Sequence, residues 1–308
     1  MFGFLFAGQG SQYVGMGKDL YESFPQSKAI FEEADKVLGF SISQLCFEGP
    51  LEELTQTANC QPAIVTVSIA AWEAFKTVYS VQFTVDSYIA GLSLGQYSAL
   101  AASEVMTFAD TVYLARRRGE FMEEEAAKRL GKMLSIIGLD LAKVREICQE
   151  TNIEIANLNC PGQIVVSGAA EGILKAQALA KERGAKMAVL LEVSGAFHSS
   201  FMQGASLKLA KELENMKISS PKMTLISNVT GKPISLPEEV RVNLVNQVAM
   251  SVLWEDSMRF MLSNGVTKFF EFGPGKVLKG LMRRIEPAAE VVNIDKKNDI
   301  DAVGSMCQ

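Results

Sequence analysis

Ser93 stands between small residues in Gly91-Leu92-Ser93-Leu94-Gly95, after the apolar run Tyr88-Ile89-Ala90 and before a helix-like stretch over residues 96–103. Strand, sharp turn with a serine at its apex, then helix is the arrangement of a nucleophile elbow. A hydroxyl at that apex projects from the turn, and the start of the next helix offers free backbone N–H groups and a positive dipole end to an oxyanion. Such a serine needs a base. His198, in Val193-Ser194-Gly195-Ala196-Phe197-His198-Ser199, is the one histidine of the chain. On their own, these residues also fit a serine in a tight turn and a hydrogen-bonded structural imidazole. Glu192 and Asp140 are unremarkable candidates for a third member, and a backbone carbonyl could orient the ring instead.

Two further clusters could do chemistry. Gly8-Gln9-Gly10-Ser11-Gln12 follows the first strand, at the end where open α/β sheets bind ligands. It reads either as a flexible loop or as the source of a second oxyanion N–H beside that of Leu94. Arg116-Arg117-Arg118 usually means a solvated helix face. Successive helical residues point about 100° apart, so at most one or two of the three can enter a cleft.

Positioning these residues requires alternating strands and helices. Residues 2–6 read as a strand, 27–38 and 62–78 as helices, and 108–128 as another helix behind the elbow. That alternation predicts a mainly parallel sheet covered by helices. From residue 133 the pattern changes to strand 133–138, helix 141–151, strands 153–157 and 163–167, helix 171–183 and strand 188–193. The order βαββαβ is that of a ferredoxin-like unit. The fold class is therefore α/β, a hydrolase-like core of residues 1–130 and 195–308 with an inserted ferredoxin-like subdomain over 131–194. After His198 the core resumes with a helix, a strand at 223–228, a helix around 241–248 and a strand at 267–272. Gly273-Pro274-Gly275 then turns into a last helix before a final strand at 291–294.

With 308 residues, 48% hydrophobic, 21% charged and 24 Gly, the chain has an ordinary globular composition. A net charge of −5 argues against general nucleic-acid binding, which relies on basic side chains. Cys46, Cys60, Cys148, Cys160 and Cys307 are scattered, with no Cys-x-x-Cys pair, so neither a zinc site nor a disulfide framework is expected. Met1 to Ala7 lacks a basic leader and reads as a buried strand rather than a signal peptide, and no apolar stretch reaches the ~18 residues of a spanning helix. The expectation is a cytoplasmic monomer with no membrane association.

Six motifs, in order along nearly the whole chain, carry a resemblance. They are Gly8-Gln9-Gly10-Ser11-Gln12, the elbow with Gln96-Tyr97-Ser98-Ala99-Leu100, Arg118-Gly119-Glu120-Phe121-Met122, Asn159-Cys160-Pro161-Gly162-Gln163, Gly195-Ala196-Phe197-His198-Ser199, and Glu271-Phe272-Gly273-Pro274-Gly275-Lys276-Val277-Leu278. Together they resemble the malonyl-CoA:acyl carrier protein transacylase family. The resemblance implies a malonyl transferase of fatty acid synthesis, acting on malonyl-CoA and acyl carrier protein without a cofactor, CoA being the substrate carrier. It implies Ser93 as nucleophile, His198 as base, Gln9 and Leu94 as oxyanion-hole positions, and Arg118 as the binder of the malonyl carboxylate. A planar guanidinium can hold a carboxylate through two parallel bonds. It further implies a histidine-orienting backbone carbonyl at Gln247, a cleft-lining Asn159, and a malonyl-type Phe197 before His198.

Three positions depart from the family pattern. Leu92 stands where a histidine is common, Gln96 where a glutamate is usual, and Ser251 where a proline is frequent. Leu92 removes a polar neighbour but neither nucleophile nor base, which predicts an altered rate or pH profile. A trans-acting acyltransferase of a polyketide synthase and an acyl-thioester hydrolase use the same residues and stay as alternatives. So does a binding module that has lost catalysis.

Overall fold

The computed structural model describes residues 1–79 and 86–304, and Cys307 lies outside them. Its strands are β1 (Phe2–Phe6), β2 (Tyr88–Gly91), β3 (Gly131–Ile137), β4 (Glu154–Cys160), β5 (Gln163–Ala169), β6 (Met187–Leu190), β7 (Thr224–Ile226), β8 (Pro233–Ile234), β9 (Val252–Leu253), β10 (Lys268–Phe272) and β11 (Glu290–Ile294). They form two sheets. The larger, in the order β11-β10-β1-β2-β7-β8, is parallel except for its last pair. The class is the expected one.

Strand β1 is central to the larger sheet and both of its faces are covered, so it reads as an unbroken apolar run. Successive side chains alternate between the faces. Phe4 and Phe6 join Trp72, Phe270 and Phe272 on one side, whereas Leu5 joins Ala90, Trp254 and Phe269 on the other. Trp72 comes from the long Thr57–Tyr79 helix, and its ring meets those of Phe4 and Phe272 edge-on at 5.2 and 5.1 Å. That helix starts earlier than the 62–78 expected, with Pro62 inside it. A proline has no N–H for the carbonyl four residues back. The Ala58 carbonyl is instead taken by Arg116 Nη1 at 3.1 Å.

In the smaller sheet the order is β6-β3-β5-β4-β9. Its first four members follow the ferredoxin-like order, with the Leu141–Thr151 and Ala170–Glu182 helices packed over Leu134, Ile136, Ile164 and Val166. The fifth strand was not foreseen. Strand β9 belongs to the returning chain and pairs parallel with β4, while Ser251 Oγ donates to the Ile155 carbonyl. A two-residue strand has no periodicity to read.

Short helices at Lys18–Ser23, Ile42–Glu48 and Leu51–Thr55, and a longer one at Trp254–Ser263, were also unforeseen. A further helix, Lys297–Gly304, follows β11, so the helix after Gly275 is not the last. Among the described residues, no helix is long and apolar enough to cross a membrane.

Candidate active site

The turn after β2 is built by what its glycines lack. A Cβ on Gly91 would lie 1.9 Å from the Gly95 carbonyl carbon, and one on Gly95 would lie 2.1 Å from the Phe6 carbonyl oxygen. Only hydrogen fits at either position. Between them Ser93 takes φ 51°, the left-handed region, and the Gly95–Ala102 helix begins at once. That backbone costs roughly 1–3 kcal/mol and persists where surrounding bonds over-determine it. Here the Ser93 N–H donates to Asn228 Oδ1 at 2.7 Å, and Asn228 Nδ2 donates to the Gly91 carbonyl at 2.9 Å.

Ser93 Oγ lies 2.7 Å from His198 Nε2. His198 Nδ1 lies 2.7 Å from the backbone carbonyl of Gln247, which can only accept. The ring therefore carries its proton on Nδ1 and turns the Nε2 lone pair to the serine hydroxyl. Neither acid considered from sequence orients it. Asp140 caps the Leu141–Thr151 helix through the Lys143 N–H, and Glu192 lines the cleft. Burial, with the nearby Arg118 charge, pushes the imidazole down to about 4 against the pull of the Gln247 and Met250 carbonyls. At neutral pH His198 is an uncharged base.

One arginine of three enters the site. Arg116 binds Ala58, Asn59 and Glu120, and Arg117 binds Glu120 and Glu212. Arg118 is 1% exposed, and its Nη2 donates to Ser93 Oγ at 3.1 Å and to Gln247 Oε1 at 3.4 Å. Its Nη1 donates to Gln61 Oε1 at 2.8 Å, and its guanidinium sits 5.3 Å from the centre of the Tyr97 ring. Burial lowers its pKa, yet it remains a cation. Among the described residues no carboxylate pairs with it, and its buried Nε has no acceptor. An unpaired buried charge is costly, so an anionic group on a ligand would complete this site.

The cleft holds about 440 Å³ and is walled from both sheets. Gln9, Leu92, Ser93, Arg118 and Met122 come from the core, and Met133, Asn157, Asn159 and Val165 from the smaller sheet; Phe197 and His198 come from the returning chain. Gly8 brings its loop against the elbow, where a Cβ would lie 2.6 Å from the Leu92 carbonyl oxygen. The side chain of Leu94 is buried in the core, and the residue is the N-cap of the Gly95–Ala102 helix, where backbone N–H groups lack intrahelical partners. Asn159 Oδ1 is buried without a partner in the free site. The Leu92 side chain lines the cleft and packs on the Cys160 and Ile226 cluster. A wider hollow of about 660 Å³ beside β11, lined by Lys276, Lys279 and Asp295, contains neither serine nor histidine.

Sequence reasoning missed the roles of three polar side chains. Gln61 holds Arg118, Asn228 holds the elbow, and Gln96 accepts both the Asn228 N–H at 3.2 Å and Gln247 Nε2 at 2.8 Å. A signal existed for Asn228, which ends a core strand at the sheet edge where sites gather. Gln61, just ahead of Pro62 and outside the apolar run over 63–72, carried none.

Residues 3–279 match the acyl transferase domain family. The chain is 43% identical over 303 residues to the malonyl CoA-acyl carrier protein transacylase of Bacillus subtilis (strain 168), covering 97% of this chain and 94% of that protein. In structure it is similar to an acyl-carrier-protein-S-malonyltransferase from Bartonella henselae, with TM-score 0.94, 40% identity and coverage of 99% and 98% of the two chains. A malonyl-transacylase solved in complex with a holo type II PKS acyl-carrier protein is similar too, with TM-score 0.94, 35% identity and 98% of each chain covered.

Proposed function

From the premise that this chain belongs to the acyl transferase domain family, we propose that Ser93 and His198 carry its chemistry and Arg118 selects its substrate. The enzyme is an acyltransferase that moves the malonyl group of malonyl-CoA to acyl carrier protein in fatty acid synthesis. In the first half-reaction His198 Nε2 takes the Ser93 proton as Oγ attacks the thioester carbonyl. The N–H groups of Gln9 and Leu94 hold the tetrahedral oxyanion. Collapse breaks the C–S bond, the His198 proton goes to the departing sulfur, and CoA leaves as a thiol from a malonyl-Ser93 ester. In the second half-reaction His198 deprotonates the phosphopantetheine thiol of the carrier protein, whose sulfur attacks the ester. The proton then returns to Ser93 Oγ.

One observation carries this reading: a buried guanidinium with no carboxylate of its own, 3.1 Å from the hydroxyl of the Ser–His pair. A diacid thioester supplies the missing anion, and fixing its far end holds the acyl carbon near Oγ. Asn159 and Phe197 line the same cleft and shape the acyl pocket, and the Gln247 carbonyl keeps the His198 tautomer. The reading needs no prosthetic group and no second copy of the chain. It treats residues 131–194 as a small subdomain carried by a core of 1–130 and 195–308.

Intact-mass measurement after brief mixing with malonyl-CoA, acetyl-CoA and methylmalonyl-CoA tests it. Malonyl should add to the wild type and not to Ser93→Ala. Arg118→Ala should lose about 100-fold in malonyl uptake, the worth of a charge-assisted bidentate pair, and far less in acetyl uptake. Equal losses for both acyl groups would overturn the assignment of Arg118.

A further inference from the structure

Beneath the nucleophile lies a cluster of three buried side-chain amides that touch no substrate: Asn228, Gln96 and Gln247, each fully enclosed. They arrive from separate elements. Asn228 follows β7, Gln96 sits in the elbow helix, and Gln247 ends the Pro237–Gln247 helix. Gln247 Nε2 donates to the Ser93 carbonyl at 3.0 Å, to Gln96 Oε1 at 2.8 Å and to Asn228 Oδ1 at 3.2 Å. Its backbone carbonyl holds His198 and its Oε1 accepts from Arg118. The cluster thus meets the nucleophile, the base and the arginine from below.

Asn228 occupies the decisive place in it. One carboxamide bridges the turn, accepting from the Ser93 N–H and donating to the Gly91 carbonyl, the two backbone groups on either side of Leu92. A hydrocarbon side chain there would leave both groups buried without partners. The same bond commits the Ser93 N–H to a buried side chain, so that N–H is not free to hold an oxyanion.

We propose that Asn228 is a positioning residue for acyl transfer: its carboxamide clamps the left-handed Ser93 turn and sets the aim of Oγ at His198. The proposal rests on Ser93 being the acyl-accepting nucleophile. It predicts that loss of the clamp slows formation of the malonyl-serine ester and leaves malonyl-CoA binding, which Arg118 dominates, nearly unchanged.

Rapid-quench intact-mass kinetics on the full chain test this with Asn228→Ala, Asn228→Asp and Ser93→Ala. Asn228→Ala should acylate about 100-fold more slowly at saturating malonyl-CoA, the scale of an ångström-level misplacement. Its KM should stay within about threefold, as for an interaction felt mainly in the chemical step. Its Ser93 should also react more slowly with a small fluorophosphonate, a probe with no carboxylate for Arg118.

Asn228→Asp separates aim from mere packing. Protonated, the introduced carboxyl can accept from Ser93 and donate to the Gly91 carbonyl; ionised, it can only repel that carbonyl. Arg118 and His198 are the charged and titratable side chains bonded to the residues Asn228 touches, Ser93 and Gln247, and His198 stays neutral above pH 6. The rate of Asn228→Asp relative to wild type should therefore recover as pH falls from 8 to 6. A wild-type acylation rate in Asn228→Ala, a raised KM with unchanged rate, or a pH-independent ratio for Asn228→Asp would overturn the proposal. If Asn228→Ala does not fold, the isosteric Asn228→Asp carries the test alone. Malonyl uptake by Ser93→Ala would instead overturn the nucleophile itself.

Discussion

Burial and the Arg118 charge hold His198 at about 4, so the imidazole is uncharged through the neutral range, and its acid limb belongs near that value. Gln96 bears on this. Its Oε1 accepts from Asn228 and from Gln247, whose carbonyl in turn orients His198. Gln96→Glu keeps an acceptor for both donors and adds a negative charge one residue from the imidazole. An opposite charge favours the protonated ring, so the His198 pKa rises. The acid limb of kcat/KM should then move up by about one pH unit, a modest case of such charge coupling. A pH–rate profile from 4 to 8 checks it, and an unmoved limb would show that His198 does not feel position 96. Ser93, His198 and Arg118 were legible because each lies in a motif of the sequence, and Gln247 came only with the family resemblance that those motifs carry. Asn228 and Gln61 were missed: a strand end gave Asn228 only a positional hint, and nothing local to Gln61 separates a buried amide that holds a neighbour from one facing water.

Most long elements, the Trp254–Ser263 helix excepted, were visible in their periodicity, and what positions the site is how closely they approach. The elbow helix starts against the end of β1, with Gly95 at the contact. Alanine is intrinsically better in a helix than glycine by about 1 kcal/mol. At Gly95 the added methyl would meet two backbone carbonyl oxygens, those of Phe6 at 2.1 Å and Ala7 at 2.8 Å. Backbone must then move, and overpacking of this kind costs roughly 1–3 kcal/mol. Gly95→Ala should lose about 2 kcal/mol in urea unfolding and most of its activity as the Leu94 N–H shifts. Gly280, in the Val277–Ile285 helix, is the control. A Cβ there meets nothing within 4 Å, so Gly280→Ala should keep or gain stability. No residue preference in the sequence separates these two glycines, because what differs is the strand end facing one of them. Strand β9 and the short helices escaped for a related reason, being shorter than the pattern that would reveal them.

Across the whole molecule the two sheets meet at the cleft, and two buried titratable groups contribute opposed slopes to how its stability answers pH. His198, at about 4 against an ordinary 6.5, binds its proton more readily in the unfolded chain. Its contribution is present above pH 6.5 and is lost as pH falls toward 4. Glu271 runs the other way. Buried at the end of β10, it accepts from the Leu278 and Lys279 N–H groups and from Asn293 Nδ2, yet desolvation lifts it from 4.5 to about 7. The native chain therefore holds that proton longer than the unfolded one, and this contribution is present below pH 4.5 and lost as pH rises through 7. Each spans roughly 3 kcal/mol at 1.36 kcal/mol per unit. Between pH 4.5 and 6.5 the two slopes oppose and largely cancel, so the wild type should show little pH dependence from this pair. Glu271→Gln removes one side. The unfolding free energy of wild type minus that of Glu271→Gln should fall by about 3 kcal/mol from pH 4.5 to 7, whatever its sign at the start. Urea titrations at half-unit steps measure that difference. A constant difference would mean that the three N–H donors outweigh burial and keep Glu271 ionised throughout, in which case the His198 slope should stand uncovered in the wild type.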